Sequence, residues 1–235
     1  MKLACQELLT PGASLQEKAD NLAKWGFEGM ELWGDNLKPR IAEIRQALGG
    51  AVKLSSICAG YRHAPLNADK EERDQALADT KELLSIAGDL GGAGLIVVPI
   101  FGSPQVPDLS PVKSAVELET DLLCAYLDEA GAHAEKVGAK IFLEPLNRYE
   151  THFLNRVEQG VELCKRVGNP AVQVMADFFH MNIEEPDIPA ALRGAKGYLG
   201  HVHLADSHRT QPGLGHIDFK SGFAALKQIG YDGYM

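Results

Sequence analysis

The chain is 235 residues long, enough for one large domain or two small ones, and its 45% hydrophobic and 23% charged residues are ordinary for a globular protein. A formal net charge of −9 argues against a nucleic-acid partner, because phosphate contacts need a basic face. The sequence has no run of about 18 apolar residues to span a membrane, and Met1-Lys2-Leu3-Ala4-Cys5-Gln6-Glu7 lacks the long apolar segment of a secretory signal.

Short β-type runs alternate with longer amphipathic stretches along the whole chain. The first strand is expected at 1–6 (MKLACQ) and the first helix near 14–25, where Ser14 precedes Leu15-Gln16-Glu17 with an acid placed for a capping box. Strands at 28–33 (EGMELW) and 52–58 (VKLSSIC) alternate with helices near 38–48 and 69–89. Strands at 93–99 (AGLIVVP) and 139–145 (AKIFLEP) follow, with helices near 112–137 and 155–167. The last two pairs are 171–177 (AVQVMAD) with 187–193, and 198–204 (YLGHVHL) with 218–229. Gly26, Gly138, Gly168 and Gly230 each follow a helical stretch, as glycines past a helix end do.

Seven βα units without a composition shift or linker predict a single domain, residues 1–235, built on a parallel sheet. A doubly wound nucleotide binder needs a glycine-rich loop after an early strand, whereas Gly91-Gly92-Ala93-Gly94 precedes its strand. The α/β fold expected is therefore a (β/α)8 TIM barrel. The closing Gly230-Tyr231-Asp232-Gly233-Tyr234-Met235 reads as the beginning of an eighth strand, so the barrel is expected to be truncated there, with strand 8 and helix 8 missing.

In a parallel barrel the C-terminal strand ends line the mouth where substrates bind. Strands 5, 6 and 7 end at Glu144, Asp177 and His203, each unusual in an apolar strand because a buried polar or ionised group needs compensation. Taken singly, Glu144 could pair with a base or cap a loop, Asp177 could cap a following helix, and His203 could be a satisfied core histidine. Together, three ligand-type residues at three adjacent strand ends point to a divalent cation. Mixed oxygen and imidazole donors suit Mn²⁺, Co²⁺ or Fe²⁺, with Mg²⁺ and Zn²⁺ also open. His201 lies one layer deeper and reads as a core or supporting residue. His180, on the segment DFFHMNIEE, and Glu150 and Arg209, on mouth loops, are candidates for contacting a polar substrate or are simply solvated. Trp33 and Phe101, at the ends of strands 2 and 4, read as core packing or pocket walls. The four cysteines form no CxxC pair, which points to a reducing, cytoplasmic setting.

FLEPLNRYET (142–151), VMADFFHMNIEE (174–185) and GHVHLADSHRTQPGLGHIDF (200–219), together with GFEGMELW (26–33), carry a resemblance over essentially the whole chain. The sequence resembles the sugar isomerases and epimerases of the xylose-isomerase-like TIM-barrel superfamily, and most closely the ketose 3-epimerases of the tagatose/psicose type. The resemblance implies a metal held by Glu144, Asp177, His203 and a strand-8 glutamate that has no counterpart up to Met235. It implies substrate contacts from Glu150, His180 and Arg209. It further implies a ketose whose carbonyl and neighbouring hydroxyl lie on the metal, a metal-stabilised enediolate, and Glu144 as acid/base on one face with the strand-8 glutamate on the other. Mn²⁺ is the expected ion, a small sugar the expected partner without nucleic acid or membrane, and homo-oligomers are common in the family. An aldose–ketose or hydroxypyruvate/inositol-type isomerase, or a dehydratase, would use the same metal site. An endonuclease IV-like hydrolase would need further histidines at early strand ends, for which His63 is the one candidate, and a non-enzymatic binding protein is a fourth class.

Overall fold

The computed structural model describes residues 1–58, 63–92 and 94–235. Seven strands form, β1 (Ala4–Gln6), β2 (Gly29–Trp33), β3 (Lys53–Cys58), β4 (Gly94–Val97), β5 (Lys140–Leu143), β6 (Val172–Asp177) and β7 (Leu199–His203). The expected start of the fourth strand, Ala93, lies outside the described residues. The helices are α1 (Leu15–Lys24), α2 (Ile41–Ala47), α3 (Lys70–Asp89), α4 (Ala115–Val137), α5 (Val157–Val167), α6 (Phe178–Glu184), α7 (Ile188–Gly194) and α8 (Phe219–Gln228). One of them, α6, replaces the loop expected after the sixth strand.

Local signals set the helix ends. Ser14 Oγ accepts the Glu17 N–H at α1, and Ser114 and Glu117 make a full capping box at α4. Gly138 and Gly168 take the left-handed conformation that stops α4 and α5, which a side chain would resist. Buried residues recur at helical spacing, as in Leu123, Leu127, Ala130 and Ala134 of α4. They pack with Leu32, Leu95, Ile141 and Val174 of the strands in one core between sheet and helices. Each fully buried leucine there is worth roughly 1.5–3 kcal/mol relative to exposure.

All seven strands are parallel and hydrogen-bonded in chain order, β1 through β7. Gly233–Met235 then lies between the two ends of the sheet. Lys2 N–H donates to Gly233 O and Ala4 N–H to Met235 O on the β1 side, and Val202 N–H donates to Tyr234 O on the β7 side. The order and this closure are those of a TIM barrel. Inside the ring, Ile96, Phe142 and Met175 form a small apolar layer with Cys58. A Cβ at Gly94 would lie 1.9 Å from the Phe142 ring, so this strand position has to be glycine for the ring to fit. Phe142 also stacks on His201, with a centroid separation of 5.3 Å. A cavity of about 720 Å³ opens at the strand starts, bounded by Phe142 and His201 and lined by Lys53, Gly94, Lys140 and Tyr234.

Candidate metal centre and substrate rim

Two irregularities in the sheet aim the polar side chains inward. Between β6 and β7 the register shifts at Val174/Met175, which sets Met175 beside His201 and Asp177 beside His203. Between β2 and β3 it shifts at Met30/Glu31, which sets Glu31 beside Ser56. Glu144 follows β5 directly, its N–H bonded to Val97 O at 3.0 Å. The carboxylates of Glu144 and Asp177 are buried, and the His203 side chain keeps 19% of its surface exposed toward the strand ends.

The three residues read from the strand ends meet. His203 Nδ1 lies 3.6 Å from Asp177 Oδ2 and 3.9 Å from Glu144 Oε1. Donor atoms of Glu144, Asp177 and His180 also lie within 4.8 Å of one another. Burial pushes the Glu144 carboxyl up to about 8; His203 opposes the shift, and the negative charges of Asp177 and Glu31 add to it. Burial works the same way on Asp177, but the hydrogen bond and charge of His203 hold its pKa below the usual range. Burial likewise opposes a charge on His203, yet Glu31 and Asp177 carry its pKa well above the ordinary imidazole value.

The two histidines at this cluster differ in which nitrogen is free. The backbone N–H of Asn147 donates to His180 Nδ1 at 3.1 Å. A backbone N–H can only donate, so Nδ1 of His180 is unprotonated and its Nε2 carries the hydrogen. That Nε2–H is buried without a hydrogen-bond partner, 4.0 Å from Asp177 Oδ2. His203 is arranged the other way round. Its Nε2 lies 2.9 Å from the Glu31 carboxylate, which can only accept, leaving Nδ1 for Glu144 and Asp177. Thus His203 turns Nδ1 to the two carboxylates, where it holds a proton while its pKa stays raised and offers a lone pair once that proton is displaced, whereas His180 presents a donor.

Three acceptors facing one another repel unless a proton or a cation lies between them. Two carboxylate oxygens and one imidazole nitrogen are a donor set that fits a divalent ion such as Mn²⁺, and a cation there takes the place of the second proton on His203. Asp177 does both things its position allowed: Oδ1 caps α6 by accepting from Phe179 N and His180 N, while Oδ2 faces His203.

The rim residues assemble beside this cluster. Glu150 Oε1 accepts from Asn147 Nδ2 at 3.0 Å and from the Arg209 guanidinium at 2.9 Å. Arg209 also lies 4.9 Å over the Phe179 ring. His180, expected on a loop, is instead a buried residue of α6, because the Asp177 cap winds the chain into a helix at once. The loop that carries Arg209 is folded around Asp206, whose carboxylate accepts from the N–H groups of Ser207, Gly213 and Ile217. Although desolvation opposes it, those bonds hold the Asp206 pKa far below the usual range. Trp33 and Phe101 are 42% and 59% exposed, so neither is core packing. His63 is engaged with Glu72, its Nδ1 at 2.9 Å from Oε2. Glu31 is a residue that strand-end reasoning missed, since it sits inside β2 rather than at its end. The signal was an acid in the otherwise apolar run GMELW.

Comparison with known proteins places this architecture. The chain is 32% identical over 238 residues to 3-dehydro-D-guloside 4-epimerase of Escherichia coli K12, covering all of this chain and 90% of that protein. It is 44% identical over 226 residues to D-psicose 3-epimerase of Ruminiclostridium cellulolyticum, covering 91% of this chain and 74% of the relative. The crystal structure of D-psicose 3-epimerase with D-tagatose from Clostridium cellulolyticum H10 superposes with a TM-score of 0.85 at 28% identity, over all of this chain and 83% of that one. The model of the family described as xylose isomerase-like TIM barrel matches residues 19–235, and the chain belongs to that family.

Proposed function

We propose that the protein is a divalent-metal-dependent sugar epimerase that inverts the hydroxyl-bearing carbon next to a ketone, with a ketose inverted at C3 as the leading substrate class. The observation that carries this reading is His203 Nδ1 lying within 4 Å of both Glu144 and Asp177 at neighbouring strand ends, beside a buried, unpartnered His180 Nε2–H. The relatives agree on the chemistry and differ in the carbon. In a psicose the ketone is at C2 and the named position is C3; in a 3-dehydro sugar the ketone is at C3 and the named position is C4. Each inversion removes a proton from the carbon beside a ketone.

Glu144, Asp177 and His203 would hold the cation, with Mn²⁺ the expected ion. A divalent ion there supplies positive charge that lowers the pKa of the C–H next to the ketone and stabilises enediolate oxygens. Glu144, buried beside His203 and Asp177, is the carboxylate placed to take and return that proton. The His180 Nε2–H and the Arg209 guanidinium donate to sugar oxygens, and Glu150 holds Arg209 in place. Glu144 serves one face of the carbon. The opposite face falls to the strand-8 glutamate that the family resemblance implies, which is not among residues 1–235.

The test is to strip the full-length protein of metal, restore Mn²⁺, and incubate it with D-psicose, D-tagatose, L-ribulose and a 3-keto-glycoside in ²H₂O. Proton NMR is expected to show an epimer carrying deuterium at the inverted carbon. Turnover that is unaffected by stripping, or inversion without deuterium entry, would refute the reading.

A further inference from the structure

Glu31 is buried in the middle of β2, 4% exposed, with both oxygens engaged. Oε1 accepts from Gln6 Nε2 at 2.7 Å. Oε2 accepts from Ser56 Oγ at 2.6 Å, lies 2.9 Å from His203 Nε2 and 3.3 Å from His201 Nε2. Sheet register delivers two of these partners, because Gln6 and Ser56 are the residues paired with Glu31 on the strands either side. His201 is locked in turn by its stack on Phe142. The Glu31, His201 and His203 donor atoms are close enough to suggest a second cation site. Their separations are hydrogen-bond distances, however, and every partner of Glu31 is a hydrogen-bond donor. The set is closed on itself.

We infer that Glu31 is a positioning residue for the metal centre: it accepts the Nε2–H of His203, and so turns the Nδ1 lone pair of that ring toward Glu144 and Asp177. This assignment rests on the cation site proposed above. A carboxylate bonded to the far nitrogen of a ligand imidazole fixes the ring's tautomer and orientation and makes the ligand more basic, and loss of such a partner costs metal affinity about 10–100-fold. Ser56 and Gln6 keep the carboxylate from rotating away. His203 spans the barrel interior between the β2 wall and the β5–β6 wall, with one nitrogen for each.

The decisive measurements are Mn²⁺ affinity by calorimetry for metal-stripped full-length wild type, Glu31→Gln and Glu31→Met, and long-range ¹H–¹⁵N NMR of His203 in the zinc-loaded wild type. Glu31→Met is expected to bind Mn²⁺ about 10–100-fold more weakly. Glu31→Gln is expected to lose less, because its amide oxygen still accepts from Nε2. The NMR spectrum is expected to show the proton on Nε2 and the metal shift on Nδ1. Wild-type Mn²⁺ affinity in Glu31→Met, or a His203 proton on Nδ1, overturns the assignment. Should Glu31→Met fail to fold by circular dichroism, the wild-type NMR decides alone. A wild type that binds Mn²⁺ with this tautomer but epimerises no sugar refutes the proposed function and leaves the role of Glu31 standing. A wild type that binds no divalent ion overturns both.

Discussion

At Glu144 the proposed chemistry and the stability of the protein meet in one carboxyl. Its pKa of about 8 in the folded chain exceeds the roughly 4.3 of an unfolded glutamate. Between those values the folded state binds more protons than the unfolded one. The contribution of this group to stability is therefore complete below about pH 4 and is lost as pH rises through 8. His203, whose pKa is also raised, acts in the same direction. Glu144→Gln removes one of the two, so the metal-free variant is expected to lose less melting temperature than wild type between pH 5 and 8, as differential scanning fluorimetry in EDTA would record. The same variant is expected to fold normally and to have no measurable epimerase turnover. For wild type, cation binding displaces protons from both groups, so Mn²⁺ affinity should rise with pH up to about 8, and calorimetry in buffers of different ionisation enthalpy should register proton release. Residues at strand ends could be read from the sequence because a polar group closing an apolar run stands out. The role of Glu31 could not, because its partners His201 and His203 are about 170 positions away and meet it only when the sheet curls.

The short helix α6 shows what an element adds beyond its residues. From the sequence, DFFHMNIEE looks like a loop: seven residues are too few for a periodic apolar stripe to declare itself. The Asp177 Oδ1 cap supplies what periodicity does not, and the resulting turn buries His180 beside the cluster rather than exposing it. The cap and the proposed ligand use different oxygens of one side chain, so they can be separated. Asp177→Asn keeps a capping oxygen and is expected to be more stable than Asp177→Ala by about 1 kcal/mol in urea titrations of the metal-free protein. Both variants should bind Mn²⁺ far more weakly than wild type. The longer helices posed less difficulty, since Ser14, Gly138 and Gly168 mark ends of α1, α4 and α5 with residues whose conformational preferences are strong.

Over the whole molecule, the alternation of seven βα units was enough to predict parallel strands in chain order, and the shape of the ring follows from that order. The two register shifts were not legible, because each depends on pairing between strands rather than on either strand alone. Closure depends on a few residues. Tyr234 O accepts from Val202 N–H, its neighbours Gly233 and Met235 bond to the Lys2 backbone, its ring packs at Gly29, and Lys2 lies over that ring. Deleting residues 231–235 is expected to bare the edges of β1 and β7, lowering the melting temperature and promoting association visible by size-exclusion chromatography. The Phe142 ring, pressed between Gly94 and His201, carries a further meaning. It bounds the cavity at the strand starts, two residues before Glu144, so in the proposed reaction a sugar would arrive and depart by the rim at the strand ends. Under the proposed function, throughput would then depend on how freely the rim around Glu150 and Arg209 lets a product back out.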